Sequence, residues 1–231
     1  MKEFLAEPLA AVFLTLLIFV LCRRLYLRYH FFLFNPLLLA AAVIIAFLYL
    51  TEIPFETYNR GGKAITFFLG PATVALALPL YRLRHEVKKN LLPTLGGTFT
   101  GALAGILSMQ LLAWLFRLSP LSARSLVVKS ATMPIALGIS EQLHGHPSLT
   151  VLGVVVAGVF GGLLGPEILR LFRVKDPAAT GLGIGAASHA GGTSRAIQIG
   201  EKEGSMSGVA IVLTGLWTAV IIKVFQMLHL I

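Results

Sequence analysis

Apolar stretches long enough to cross a lipid bilayer recur along nearly the whole of this chain. A bilayer core of roughly 30 Å needs about 20 residues of helix. The mean hydropathy is +0.84, and only 13% of the residues are charged. A water-soluble fold cannot hide so much apolar surface. The sequence therefore predicts an all-α, polytopic transmembrane helical bundle that forms one membrane domain over residues 1–231.

Eight apolar segments are candidate crossings. In chain order they are Leu5 to Cys22, Leu33 to Leu50, Ala64 to Leu80, Leu91 to Phe116, Ser125 to Leu143, Ser148 to Phe172, Gly181 to Gly200 and Met206 to Leu230. The third and fifth contain prolines, so we predict helix breaks at Pro71 and Pro134. A pattern shared by these two segments suggests an internal repeat, although chance matches are common in a chain this rich in Ala, Leu and Gly. Its two copies are Ala72-Thr73-x-x-x-Ala77-Leu78 and Ala131-Thr132-x-x-x-Ala136-Leu137.

The positions of Lys and Arg reduce the number of full crossings. Cytoplasmic loops carry an excess of these residues, and the basic clusters at 23–28 and 82–89 agree on one orientation. Eight full crossings would place the basic loop at 170–175 outside. We therefore expect six spanning helices plus two broken or re-entrant segments, the fifth and seventh, with the N-terminus outside and eight crossings as the alternative. The first segment is expected to be a retained helix, because no small-residue signal cleavage site follows it.

Composition argues against several other classes of protein. The net charge is +9, but the 19 Lys and Arg lie between apolar segments, which favours a topological role and no nucleic acid. The single cysteine, Cys22, excludes an intramolecular disulfide framework. His144 and His146 are too few to indicate a metal, and no cofactor is expected. Ser188 and His189 are adjacent without a nearby acid to orient the histidine, so we do not expect an enzyme.

Two polar interruptions of the apolar pattern are predicted to meet around a binding site. Residues 181–195 combine five glycines with polar groups, and a flexible cytoplasmic loop is the alternative interpretation. Residues 129–134 place a lysine and two hydroxyls before a proline, and a lysine that snorkels at a helix end is the alternative there. Irregular backbone at membrane depth is tolerated only where it is buried or lines a cavity. Broken helices also leave N-termini that attract anions, as in secondary transporters.

The side chains of these two interruptions suit a small carboxylate anion. The predicted substrate-binding residues are Lys129, Ser130, Thr132, Ser188, His189, Gly192, Thr193, Ser194 and Arg195. Lysine or arginine would supply the charge, and hydroxyls or amides would orient the ligand. Glu141 is the only acid within the fifth and seventh segments, whereas a cation site would need more acidic residues. His189 could couple uptake to protons, or it could simply donate one structural hydrogen bond.

Two further patterns predict local structure. Asn35 before Pro36 suits the N-cap and first turn of the second helix. Glycines four residues apart are expected to form packing faces between helices. They are Gly97, Gly101 and Gly105 in the fourth segment, and Gly161 and Gly165 in the sixth.

Four stretches of the chain, taken in order, resemble the LrgB/CidB family. They are Asn35-Pro36-Leu37-Leu38, Pro71 to Tyr81, Lys129 to Ala136, and Ala187-Ser188-His189-x-x-Gly192-Thr193-x-Arg195-Ala196. The resemblance runs from about Asn35 to the C-terminus. This chain has Val128, Ser194 and Gln198 where the family commonly has a proline, an alanine and an acid. The loss of that acid puts a proton-coupling role at this position in doubt.

The resemblance implies a multi-pass protein of the bacterial cytoplasmic (inner) membrane that acts with a small LrgA/CidA-type membrane partner. The older family description is an antiholin-like regulator of murein hydrolase export and autolysis. Plastid relatives are described as glycolate/glycerate carriers, and some bacterial members are linked to pyruvate. Our leading hypothesis is a secondary transporter of small carboxylates of the glycolate, glycerate or pyruvate class. The alternative is an antiholin-like or holin-like regulator that works in the lipid bilayer as a homo-oligomer.

Overall fold

The computed structural model describes residues 7–29, 35–75, 77–82 and 84–228, and all regular elements within these ranges are α-helices. This confirms the all-α class. The predicted segment ends at Leu5, Leu33 and Leu230, and Leu76 of the family resemblance, lie outside the described residues. The helices are α1 (Pro8–Tyr29), α2 (Pro36–Leu50), α3 (Phe55–Phe67), α4 (Leu69–Ala75), α5 (Ala77–Arg82), α6 (Arg84–Lys89), α7 (Leu91–Leu115), α8 (Pro120–Leu126), α9 (Met133–Gln142), α10 (Pro147–Leu171), α11 (Pro177–Ile199) and α12 (Glu201–Met227).

Four of the described helices are long and apolar enough to cross a membrane, namely α1, α7, α10 and α12. They contain 22 to 27 residues, which matches the length that a bilayer core requires. The helix α2 is apolar but has only 15 residues. The predicted count of six to eight crossings is therefore not confirmed.

The third predicted segment is not one helix. α3 ends at Phe67 and is capped by Phe68, and α4 and α5 follow as short helices. Pro71 is the third residue of α4, where the missing amide cannot bond to the carbonyl of Phe67 and continue α3. Pro134 is likewise the second residue of α9. Both prolines thus mark the start of the helix after an interruption, and the interruption itself lies a few residues earlier.

The chain forms two compact units, Met1–Ala72 and Thr73–Ile231. In the first unit α1 packs against α2 and α3, and the hydroxyls of Thr15 and Tyr58 are 2.7 Å apart. Asn35 accepts hydrogen bonds from two amides in the first turn of α2, which confirms it as the N-cap. The prediction of one membrane domain stays a prediction.

The second unit is built around α7, α10, α11 and α12. One core cluster joins Ile106 of α7, Ile139 of α9, Val154 of α10 and Ile222 of α12. α7 and α12 run in the same direction, because the start of α7 packs against the middle of α12 and its later turns pack against the end of α12. This core fixes the helices between which the two interrupted segments lie.

The fifth segment folds back on itself, and we call α8, residues 127–132 and α9 hairpin A. α8 ends at Leu126 and α9 begins at Met133. The ends of the segment lie together, since a Cβ added to Gly145 would be 3.1 Å from Ser125 Oγ and would also meet Ser140 Oγ. The chain therefore enters and leaves hairpin A at one place.

The seventh segment folds back as well, and we call α11 hairpin B. His189 interrupts it with φ 40° and ψ −130°. A Cβ added to Gly192 would be 2.8 Å from Ile184 Cγ2, whereas residues eight apart in a straight helix are separated by about 12 Å. The two halves of hairpin B therefore lie side by side. Ser188 and His189 are buried, so the alternative of a flexible loop does not describe this segment.

Both ends of hairpin B lie beside the start of α12. A Cβ added to Gly181 would meet the main chain of Glu203, and one added to Gly204 would be 2.7 Å from Ile197 Cγ1. Entry and exit on one side are what the charge pattern predicted for this segment. The re-entrant path of either hairpin through a membrane stays a prediction.

Candidate functional site

The tips of the two hairpins meet beside the middle of α10. A Cβ added to Gly153 would be 3.6 Å from Lys129 Cβ at the tip of hairpin A, and one added to Gly158 would be 2.9 Å from the Cε1 of His189 at the tip of hairpin B. The imidazole of His189 also lies beside the main chain of Val154 and Lys129.

The hairpins reach this point from opposite ends of α10. Ser125 of hairpin A is hydrogen-bonded near the start of α10, where the Thr150 hydroxyl donates to its carbonyl at 3.1 Å. Hairpin B approaches from the other end, since Ile184 lies beside Gly165 and Ser188 beside Gly161. Two opposed half-length elements that meet at mid-helix are a recurring feature of transporter binding sites.

Among the described residues, no acid pairs with the cation at the tip of hairpin A. Val127 and Val128 are fully buried and fix the turn, while the Nζ of half-buried Lys129 donates to Ser130 Oγ at 3.4 Å. In the described part of the chain the structure records one ion pair, elsewhere on α10. Thr132 is the N-cap residue of α9, but its buried hydroxyl makes no capping hydrogen bond and has no partner among the described residues. A cation in a low-dielectric environment is stabilised by an anionic partner.

The tip of hairpin B is closed by its own hydrogen bonds. Ser188 Oγ donates to the carbonyl of Ile184 at 2.6 Å. The Thr193 hydroxyl donates to the carbonyl of His189 at 2.9 Å and lies 2.6 Å from Ser207 Oγ. His189 Nε2 is buried without a partner among the described residues, and Gly192 packs against Ser188. The hydroxyls of this tip are therefore used within the protein.

A groove of about 940 Å³ leads along α7 to the tip of hairpin A. Its walls come from α7 between Asn90 and Ser108, from the first half of hairpin B between Asp176 and Ala187, and from Lys129 with its neighbouring serine. The stretch of α7 that it follows is roughly 27 Å long at 1.5 Å per residue. This length approaches the thickness of a bilayer core.

The groove includes only part of the predicted site. Lys129 and Ser130 line it, whereas Ser194 and Arg195 are exposed on the second half of hairpin B and do not. Arg195 Nη1 donates to Gln198 Oε1 at 3.0 Å. The remaining predicted residues lie at the two tips outside the groove wall. Binding of a carboxylate by any of these residues stays a prediction.

The glycine row of α7 serves two purposes in the structure. A Cβ added to Gly101 would be 3.2 Å from Ala186 Cβ, and one added to Gly105 would be 2.9 Å from Ser130 Oγ, so both are close contacts. Gly97 has nothing within 4 Å in that direction, and all three glycines line the groove. The spacing predicted one face of a helix but not the groove along it.

Asp176 is a groove residue that sequence reasoning missed. Its carboxylate accepts a hydrogen bond from the Ala179 amide at 2.8 Å and caps hairpin B. An aspartate followed by Pro177 is the usual signature of a helix start, and that signal could have placed the beginning of this helix. It would not have indicated that the carboxylate borders a groove.

Comparison with known proteins gives a consistent family assignment. The profile of the LrgB-like family matches residues 15–228. A relative named Uncharacterized protein YwbG, from Bacillus subtilis (strain 168), is 34% identical over 210 residues, or 91% of this chain and 93% of that protein. Antiholin-like protein LrgB from Bacillus mycoides (strain KBAB4) and from Bacillus cereus (strain B4264) are each 39% identical over 196 residues, or 85% of both chains. No solved structure matches the chain.

Proposed function

This chain belongs to the LrgB-like family, and from that premise we propose that it is an antiholin-like membrane protein that regulates murein hydrolase export and autolysis. The observation that carries the proposal is 39% identity to antiholin-like LrgB proteins over 85% of both chains. These names support the regulator, which was our alternative, better than the carrier that we placed first. The chain is a multi-pass membrane protein. Its place in the cytoplasmic (inner) membrane, and an LrgA/CidA-type partner, are parts of the proposal.

Autolysis of cells that lack the chain tests this function. If the chain restrains murein hydrolases, its loss should speed detergent-induced lysis, and expression of the chain with its partner should restore the slower rate. A Lys129→Ala variant is the matched control, because regulation without transport does not need this cation and the variant should complement. Unchanged lysis in cells without the chain would contradict the regulatory role.

The glycine faces predicted for helix packing are only partly occupied within the chain, because Gly97 is open. Gly105 lies against Ser130, and Gly161 lies against Ser188. A homo-oligomer would therefore not assemble through these two glycines. Regulation by a monomer or through the small partner is equally compatible with the antiholin-like proposal.

A second function, transport of small carboxylates, is favoured by the position of Lys129. This cation stands where two opposed hairpins meet and at the end of a groove, and no acid of the described residues pairs with it. We propose that Lys129 binds the carboxylate of a glycolate, glycerate or pyruvate-like anion, and that the Ser130 hydroxyl orients it. Movement of the hairpins would alternate its exposure. Neither function requires catalysis, and we propose that the chain is not an enzyme.

Uptake into proteoliposomes tests the carrier. Labelled glycolate and pyruvate should enter saturably in vesicles that contain the chain, with or without its partner. Lys129→Ala should lower this uptake by at least about tenfold, because a hydrogen bond to a charged group is worth roughly 1.5–3 kcal/mol. Uptake that Lys129→Ala leaves unchanged would exclude this site. Unselective flux without saturation would favour a holin-like pore.

Arg195→Ala separates the two halves of the predicted site. Arg195 lies outside the groove wall, so retained uptake in this variant would confine binding to the tip of hairpin A. Equal loss in both variants would extend the site to the second half of hairpin B.

A further inference from the structure

The groove exists because both of its long walls are made of small residues. On α7 the wall contains Gly97, Gly101, Ala104 and Gly105, and hairpin B contributes mainly alanine and glycine opposite them. In a membrane-embedded bundle, small residues usually let two helices touch. Here Gly101 and Gly105, toward the Ser130 end of the row, make the close contacts. The other end of the row is open at Gly97.

The groove has a direction. Gly101 faces Ala186, and the groove wall begins at Asn90 on α7 and at Asp176 on hairpin B. Gly181 and Gly185 lie against Glu203 and Ser207, so the first half of hairpin B runs in the same direction as α12 and therefore as α7. The cation of the wall, Lys129, lies at the other end of the groove.

We propose that this groove is the access route of a singly charged small carboxylate to Lys129, and that Gly97 is the position at which added bulk closes it. The inference rests on the carrier proposal. One cation at the inner end matches one negative charge on the solute. The groove keeps its room only while the side chains of this glycine and alanine wall stay short. The glycine row is thus a path and not only a packing face.

A pair of adjacent glycines gives a matched test. Gly96 and Gly97 both have nothing within 4 Å of an added Cβ, but only Gly97 lines the groove. Both leucine variants should therefore fold, and they differ in where the side chain points. Saturable glycolate uptake should be lost in Gly97→Leu and kept in Gly96→Leu, with Gly97→Ala close to the parent. Equal uptake in the two leucine variants would overturn the route and leave the carrier standing.

Labelling of a cysteine tests the route without transport. Cys22 is the one cysteine of the chain and lies in the other unit, so Cys22→Ser provides a background for Ala104→Cys in the groove wall. A membrane-impermeant thiol reagent should modify this cysteine, and glycolate should slow the reaction while ethanolamine, its cationic counterpart, should not. If the parent shows no uptake, the carrier proposal fails, yet protection by glycolate would still support the groove as an anion path. Absence of protection would overturn it.

Discussion

Hairpin A and hairpin B both fold back on themselves and approach the same part of α10, but different interactions hold them. Hydroxyl hydrogen bonds join the ends of hairpin A, whereas close backbone contacts at glycines and one hydroxyl pair, Thr193 with Ser207, join hairpin B to its neighbours. In a membrane the hydrophobic effect between helices is absent, so hydrogen bonds and van der Waals contacts are the two means available. The two hairpins use these two kinds of contact in different proportions.

The ends of hairpin A are joined by a buried network. Ser125 Oγ donates to the carbonyl of Leu121 at 2.6 Å and accepts from the amide of His146 at 2.7 Å. The hydroxyls of Ser140 and Thr150 are 2.6 Å apart. This network satisfies backbone groups that an interrupted helix leaves unpaired. It fixes the ends of hairpin A, and the six-residue tip is buried except for half-buried Lys129, which lines the groove.

Hairpin B is held where side chains are missing. The main chain of Ser207 occupies the position of a Cβ on Gly185, and the carbonyl oxygen of Gly158 would be 2.6 Å from a Cβ on Gly191. Backbone contacts of this kind cannot yield as a flexible side chain does. Its tip is a single residue, His189, with its ring packed against Gly158. Hairpin B is therefore the closely packed support, and hairpin A carries the cation that lines the groove.

The largest change in the free energy of unfolding should come from one methyl group added to hairpin B. Gly185→Ala places a Cβ against the main chain of Ser207, and overpacking of this kind costs about 1–3 kcal/mol or more. Gly138→Ala in α9 of hairpin A is the control, because nothing lies within 4 Å of its Cβ. It should stabilise the protein by up to about 1 kcal/mol, since alanine favours a helix interior. Thermal unfolding of the two variants in detergent measures the difference.

Destabilisation by Gly185→Ala together with stabilisation by Gly138→Ala would support the conclusion that glycine contacts hold hairpin B and not hairpin A. If Gly185→Ala unfolds at the temperature of the parent, the close approach to α12 is not what holds hairpin B. If Gly138→Ala is strongly destabilising, hairpin A also depends on glycine contacts and the comparison fails.

Much of the hairpin arrangement could be predicted from charge and backbone chemistry. The basic loop at 170–175 required one earlier segment to turn back, and Pro134 indicated that it was interrupted. The third segment was harder. Residues 55–67 form α3 although they contain Gly61 and Gly62 and several polar residues, which locally resemble a loop. Gly61 is required because a Cβ there would be 2.5 Å from the Pro8 carbonyl oxygen of α1, and a contact so distant in sequence leaves no local signal.

The site was predictable only in part for a similar reason. Lys129 and Ser130 were identified because a cation in an apolar segment is costly unless it has a function. Arg195 was grouped with them by residue type, yet the turn at His189 leads its helix away from the groove. The spacing of the row that begins at Gly97 predicts a packing face, because spacing defines one face of a helix but does not identify what lies against it. The sequence therefore predicts which residues carry the chemistry of the site, but it does not predict which residues enclose the groove.

The smallest effect distinguishes the single-residue tip of hairpin B from an ordinary helix. His189 has φ 40° and ψ −130°, a region that costs residues with a side chain roughly 1–3 kcal/mol. His189→Gly and His189→Ala both remove the ring, so their difference reports the backbone alone. In a continuous helix alanine would be the more stable by about 1 kcal/mol. At this tip glycine should be the more stable by about 1–2 kcal/mol, because it adopts the left-handed backbone without strain.

Unfolding midpoints in detergent would rank the two variants. A more stable His189→Ala would mean that the chain continues as a helix through residue 189, in which case hairpin B does not turn there and its second half cannot lie beside its first.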